Sequence, residues 1–308
     1  TGIIAANLAE KLEDFESTYA PETVSIRAQL AETNAGLSSI EHGNSEEVLN
    51  NLNYLGNHQN IHPKVLYFSI PWNGYKYWMA YTPYPSGDTS AENPCIAVSN
   101  DMLNWTVPTG LVNPLELAPA SGYNSDTHLL YRSDTGVMEI WWRQYNGSDG
   151  SRVIYRRTST DGVTWTAKET IFTLTAATEI LSPVVMFEEG KYKVWGVRGS
   201  SVIYQESAGD SISGWLAVRD LNIEWKSQNL RPWHLDIIHT DLGYEMIVCA
   251  YDVDTGSNND ADLFYVLQKG ESFTIPEMVL KRSVNPTANA NKSIYRASFI
   301  KVNDVYYV

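Results

Sequence analysis

The sequence predicts a mainly β protein, a five-bladed β-propeller over residues 59–308 preceded by an α-helical N-terminal stem over residues 1–58. Three observations predict it. A two-strand hairpin in residues 62–82 returns four more times, roughly every 50–65 residues, a period expected of propeller blades. A Ser–Asp–Trp turn pattern runs in phase with the hairpins. The first sixty or so residues carry almost no strand pattern.

In the stem, Leu8, Leu12 and Phe15 fall at helical spacing among Glu10, Glu13, Asp14 and Glu16. Pro21 restarts the chain into a second helix carrying Val24, Ile26, Ala28 and Leu30, ended near Gly36. A third short helix is expected from Ser45 to Leu52. Helices this short need a packing partner, either the β domain or copies of themselves.

The hairpins follow. Val65–Phe68 and Tyr75–Tyr81 flank Pro71-Trp72-Asn73-Gly74, and Asn-Gly is a strong turn signal. Asp126–Tyr131 leads through Ser133–Gly136 into Val137–Trp142. Ser182–Phe187 leads through Glu188-Glu189-Gly190 into Tyr192–Trp195. Pro232–Ile238 leads through Asp241–Gly243 into Tyr244–Val248. Tyr295–Ile300 leads through Asn303-Asp304 into Val305–Val308. This fifth repeat stops after two strands, as expected of a truncated last blade. The chain also opens at Thr1 without Met or a signal peptide, the start expected of a processed chain or a fragment.

Ser99-Asp101-Trp105 and Ser159-Asp161-Trp165 close the third strands of repeats one and two, with Ser207–Trp215 a looser echo. They resemble the Asp-box of sialidase-type propellers. Short Ser and Asp side chains bond turn backbone and Trp packs between sheets, so a structural staple is expected rather than a catalytic motif.

The formal net charge is −14 and the pI about 4.8, which excludes a broadly basic nucleic-acid-binding face. No apolar run is long enough to span a bilayer. Cys95 and Cys249 lie in expected strands and read as buried apolar residues. The oxygen-rich run Asp252–Asp262 lacks EF-hand spacing and reads as a hydrated connection. No GxSxG, HExxH or phosphate-cradling pattern occurs. No cofactor, metal site or catalytic set is expected.

Five blades opened by apolar strands resemble the propeller of the family-43 glycosidases. That resemblance implies acids near the starts of the first strands: an Asp base in blade one, an Asp in blade two and a Glu acid in blade three. Here His62-Pro63 stands for the first, Asp126 for the second, and Leu181 for the third, with Glu179 displaced by two. The chemistry therefore reads as dismantled.

A second resemblance covers nearly the whole chain. Ser17–Pro21, His62–Tyr67, Trp72–Trp78, Thr82–Pro85, Trp233–Asp236 and Tyr295–Ser298 resemble the tail-tip receptor-binding proteins of phages infecting Gram-positive, staphylococcal-type hosts. It implies a virion adhesin at the tail tip or baseplate, not an enzyme. It would be a homotrimer, joined through its helices to other tail proteins. Its ligand would be a cell-wall glycopolymer such as glycosylated wall teichoic acid. The stem metal site of some relatives is not carried over, because His42 and His58 form no recognisable pair.

The expected carbohydrate-binding residues are the strand starts around the channel: His62, Asp126, His128, Ser182, Trp233, His234, Asp236, Tyr295, Arg296 and Ser298, with Tyr123 beside them. Tyr123, Trp233 and Tyr295 would stack on sugar rings. Buried polar groups need partners, so the rest either meet a ligand or satisfy one another across the channel. Two rivals stand beside the adhesin: a glycoside hydrolase or depolymerase using Asp126 and Glu179, and a structural baseplate protein.

Overall fold

The computed structural model describes residues 49–254, 256–282 and 293–308. Within them the protein is a mainly β, propeller-like fold with four blade sheets. A short strand, β1 (Asn50–Asn51), comes first. Blade one is β2 (Asn60–Trp72), β3 (Tyr75–Pro83) and β4 (Cys95–Ser99). It is followed by β5 (Asn104–Trp105), which pairs in parallel with β1. Blade two is β6 (Gly122–Arg132), β7 (Val137–Asn146), β8 (Ser151–Ser159) and β9 (Glu169–Leu174). Blade three is β10 (Leu181–Glu188), β11 (Lys191–Arg198), β12 (Ser201–Glu206) and β13 (Arg219–Asp220). Blade four is β14 (Leu230–Thr240), β15 (Gly243–Asp252), β16 (Asp262–Lys269), β17 (Ser272–Phe273) and β18 (Glu277–Leu280). Consecutive strands of a blade pair antiparallel, with β18 returning to β16.

Two expectations need correction. The fifth repeat forms only a two-stranded hairpin, β19 (Ile300–Val302) and β20 (Val305–Tyr307), not a fifth blade. Its Asn303 and Asp304 both take positive φ, as a tight hairpin turn requires. No helical stem is supported. The helices expected over 5–19 and 20–36 lie outside the described residues. The described end of that segment, where a third helix was expected to reach Leu52, is the strand β1. No helix among the described residues is long and apolar enough to cross a membrane.

The strands are apolar on both faces because each blade is packed between neighbours. Side chains alternate along a strand, so adjacent residues serve opposite gaps. Trp142 and Leu129 pack with Trp78, Ile96 and Val98 of blade one. Trp141 and Leu130, one position away, pack with Val185, Val194 and Tyr192 of blade three. Val184 and Trp195 turn the other way, to Leu235, Ile237, Met246 and Val248 of blade four. Cys95 and Cys249 are free and buried, as expected.

The Ser–Asp–Trp turns are staples. Ser99 Oγ accepts from Asp101 N and Met102 N at 3.1 and 3.0 Å. Asp101 Oδ1 accepts from Leu103 N and Asn104 N at 2.9 and 2.8 Å. Trp105 Nε1 donates to Met102 O at 2.7 Å. Ser159, Asp161 and Trp165 repeat the pattern. These hydrogen bonds to the turn backbone lower the Asp161 carboxyl to about 2. In blade two the turn also docks on blade one. A Cβ at Gly162, whose φ is +74°, would lie 2.1 Å from Trp78 Cη2. Gly162→Ala is therefore expected to destabilise the protein by about 2 kcal/mol or more, read as a lower urea midpoint at unchanged slope.

Candidate active site

The first strand of every blade is broken near its start by a bulge. The register slips between Ile61 and Lys64, Ser125 and His128, Leu181 and Val184, and Pro232 and His234. In the first three blades the extra residue takes a left-handed backbone, His62 at φ 54°, Asp126 at 56° and Ser182 at 51°. Such a conformation costs a non-glycine residue about 1–3 kcal/mol and persists only where its surroundings enforce it. Inter-blade bonds supply that enforcement. Thr127 Oγ1 donates to His62 O at 2.8 Å. Ser182 Oγ donates to Leu235 O at 3.1 Å and accepts from Leu235 N at 3.2 Å. A bulge re-aims its side chain, and here the bulges of blades one, two and four bring three side chains together.

Those side chains are His62, Asp126 and His234, all buried, whose ligand atoms lie within 4.8 Å of one another. Asp126 Oδ1 is 3.6 Å from His62 Nε2 and 3.3 Å from His234 Nδ1. Thr82 Oγ1 donates to Ile61 O at 3.4 Å, so it can accept the Nδ1 proton of His62, 2.9 Å away. This turns the bare Nε2 toward Asp126. Neither ring nitrogen of His234 has a hydrogen-bond partner among the described residues. Burial holds both imidazoles below their usual range, hence neutral and able to ligate. Two His and one Asp form a donor set suited to a divalent metal with an open position. Ligands about 2.1 Å from a tetrahedral ion stand about 3.4 Å apart, close to the separations seen here. The residues fit such an ion.

Arg143 and Arg296 flank the carboxylate. Arg143 Nε donates to Asp126 Oδ2 at 2.8 Å, its Nη2 to Ser125 Oγ at 2.9 Å, and its Nη1 to Glu179 Oε1 at 2.6 Å. Arg152 Nε holds the other oxygen of Glu179 at 2.9 Å. Arg296 Nη1 lies 3.4 Å from Asp126 Oδ1. Burial alone would raise the Asp126 carboxyl; Arg143 and the two histidines overcome it and hold it well below the usual range. Glu92, in the loop before β4, is the opposite case. Its Oε2 is 3.6 Å from His62 Nδ1 and has no hydrogen bond. Burial, reinforced by Asp126, pushes its carboxyl up to about 8. Tyr295 packs on both histidines, with ring centroids 5.6 Å from His62 and 4.7 Å from His234, and Trp233 packs edge-on to His234 at 5.4 Å.

Of the residues expected at a carbohydrate site, His62, Asp126, Trp233, His234, Tyr295 and Arg296 thus meet at one end of the channel. Tyr123 stands beside them, 5.3 Å under the Arg143 guanidinium. The other four form ties across the channel. Asp236 accepts from Lys64 Nζ at 2.7 Å, Ser298 Oγ at 2.9 Å and Phe299 N at 3.1 Å. His128 Nε2 bonds Val185 O at 2.9 Å, and Ser182 is tied to Leu235. Sequence reading missed Glu92, which lies in a loop without periodicity, and Arg143. A lone cation within Trp141-Trp142-Arg143 was the available signal for the second. It also expected no metal-ligating set, since two His and one Asp from three blades share no local motif.

No family model matches the sequence. The chain is 26% identical over 291 residues to an A type blood N-acetyl-α-D-galactosamine deacetylase of Flavonifractor plautii, spanning 78% of this chain and 37% of that protein's length. The chain therefore spans little more than a third of the curated relative it matches. Among solved structures it is similar to an N-acetylgalactosamine deacetylase from F. plautii in complex with blood group B trisaccharide, with a TM-score of 0.68 and 22% identity over 83% of this chain and 78% of that one. It also resembles a family 117 glycoside hydrolase of Zobellia galactanivorans, with a TM-score of 0.51 and 12% identity over 83% and 81%. These likenesses establish the propeller-like fold. They overturn the phage receptor-binding resemblance, and with it the non-enzymatic adhesin, the cell-wall and tail partners and the trimer. The relative is named as an enzyme, and the solved structures named above are of carbohydrate-active enzymes, so no phage tail receptor-binding family is indicated. The words behind that resemblance encode a blade: Trp72 and Trp78 pack edge to face at 4.8 Å around the Asn73-Gly74 turn. Carbohydrate-active enzymes, the class of the first rival reading, agree better with the matches.

Proposed function

We propose that this domain hydrolyses the acetamido group of an N-acetylated hexosamine at a glycan terminus, releasing acetate and leaving the amine. The observation that carries this is the buried His62–Asp126–His234 cluster with the neutral carboxyl of Glu92 beside it. The likeness to a deacetylase supports it. His62, Asp126 and His234 would hold a divalent ion, which supplies Lewis acidity toward the amide carbonyl and the attacking water. Glu92, once ionised, takes a proton from that water and returns it to the departing nitrogen, so one group serves as base and then acid. Arg143 keeps Asp126 ionised and aimed. Trp233 and Tyr295 offer aromatic faces to the apolar side of a sugar ring.

Proton NMR of the protein mixed with N-acetylgalactosaminides and N-acetylglucosaminides tests this. Free acetate is expected, abolished by a chelator and restored by a divalent metal. One observation favours a second reading, glycoside hydrolysis: Asp126 and Glu179 meet at the same guanidinium, at 2.8 and 2.6 Å. New reducing ends without acetate, lost in Glu179→Gln, would establish that reading and overturn the first.

A further inference from the structure

Glu92 belongs to no strand. It follows a single 3-10 turn, Thr89–Ala91, and precedes β4. Its side chain is not anchored either: Oε2, 3.6 Å from His62 Nδ1, has no hydrogen-bond partner among the described residues. The place of the carboxyl is therefore set through the backbone and the residue beside it. We infer that Asn93 is a positioning residue for this site, a buried latch that keeps the Glu92 carboxyl inside the channel against His62. The inference rests on the role of Glu92 in the deacetylase reading.

Asn93 is buried, and both ends of its amide are bonded. Oδ1 accepts from Ala118 N at 2.7 Å and from Asn124 Nδ2 at 3.4 Å. Nδ2 donates to Tyr54 OH at 2.9 Å and to Ala91 O at 3.3 Å. A backbone N–H can only donate, so Ala118 fixes which end of the amide is oxygen. Tyr54 OH in turn donates to Ala91 O at 3.4 Å. The residues on either side of Asn93 are tied to the same run of chain. Asn124 N donates to Glu92 O at 2.9 Å and Leu115 N to Pro94 O at 2.8 Å. Asn124 is itself fixed, since its Oδ1 accepts from Trp142 Nε1 at 3.2 Å and Gln144 Nε2 at 2.8 Å. It lies on β6, two residues before Asp126. One strand therefore presents the carboxylate of the cluster and also holds the Glu92 backbone. The Asn93 amide adds the tie to Tyr54, between β1 and β2. Such bracing matters because a misplacement of about 1 Å can cost about 100-fold in rate.

Asn93→Ala and Tyr54→Phe test this by two readouts. A water-soluble carbodiimide labels carboxyls that reach solvent, and peptide mass spectrometry locates the label. Glu92 is buried and should stay unlabelled in the folded wild type. Losing buried hydrogen bonds shifts a local opening equilibrium about tenfold or more, and Glu92 labelling in Asn93→Ala should rise by at least that factor. Tyr54→Phe removes one hydroxyl from a half-buried ring and should act the same way but less, keeping the test open if Asn93→Ala does not fold. Acetate release is the second readout. Its kcat should fall by up to about 100-fold in Asn93→Ala, with KM and metal affinity as in wild type, because His62, Asp126 and His234 are untouched. Equal labelling of Glu92 in wild type and both variants would overturn the proposal. So would a loss of metal affinity as large as the loss in kcat, which marks collapse of the whole site. A wild type that releases no acetate would sink the deacetylase reading, while the labelling still decides the latch.

Discussion

Glu92→Gln is expected to lower the rate of acetate release by about 10²–10⁴-fold and at the same time make the protein more stable. The first figure is the usual contribution of a positioned proton carrier. Glutamine keeps the shape and removes the exchangeable proton. The wild-type rate should rise with pH as the Glu92 carboxyl ionises, and the variant should lack that limb. The stability change has a definite sign. The folded-state pKa lies above the ordinary value of 4.5, so the native state keeps a proton that the unfolded chain releases. Wild-type stability therefore declines as pH climbs from about 4.5 toward about 8. Glutamine has no such decline and should gain up to about 3 kcal/mol at pH 7. Denaturant melts at pH 5 and pH 8 read it directly: wild type and variant converge at the lower pH and separate at the higher. A variant less stable than wild type at pH 8 would show that Glu92 is not held neutral.

Arg143→Met should be the most destabilising single change in the site. It leaves Asp126 buried with its shorter ion pair gone, and Glu179 held by Arg152 alone. Breaking a buried pair by removing one partner costs about 3–5 kcal/mol. Arg143→Lys should rescue little of this. One ammonium cannot reproduce three bonds made in a fixed fork to Asp126, Ser125 and Glu179. The deficit should be largest near neutral pH. Asp126 has a depressed pKa, so its stabilising contribution is complete above the ordinary carboxylate range and fades as pH falls through the folded value. A pH series of urea melts checks both sign and window.

Much of the fold was legible because a blade is built from local signals. Turn residues at Asn73-Gly74 and Gly190, alternating strands and the Ser–Asp–Trp staple each act within a few residues, and the repeat multiplies them. The strand starts could be named for the same reason, since phase within the repeat places His62, Asp126 and His234 at matching positions. What phase could not show was their convergence. Left-handed bulges at His62 and Asp126 have no glycine or asparagine to announce them. Glu92 acquires its character entirely from what surrounds it. Function was misread from blade-building words, because Trp72–Trp78 meets a packing demand that binders and enzymes on this scaffold share.

The bulges also bear on handedness of recognition. Blades one, two and three carry the same backbone socket, yet they hold an imidazole, a carboxylate and a hydroxyl already tied to its neighbour. Blade four adds a second imidazole beneath Trp233. A scaffold with near-rotational symmetry thus presents a ring of unlike groups. Under the proposed function, a chiral ligand entering along the axis would meet a different partner at each compass point, and only one rotation would bring its reacting bond to Glu92.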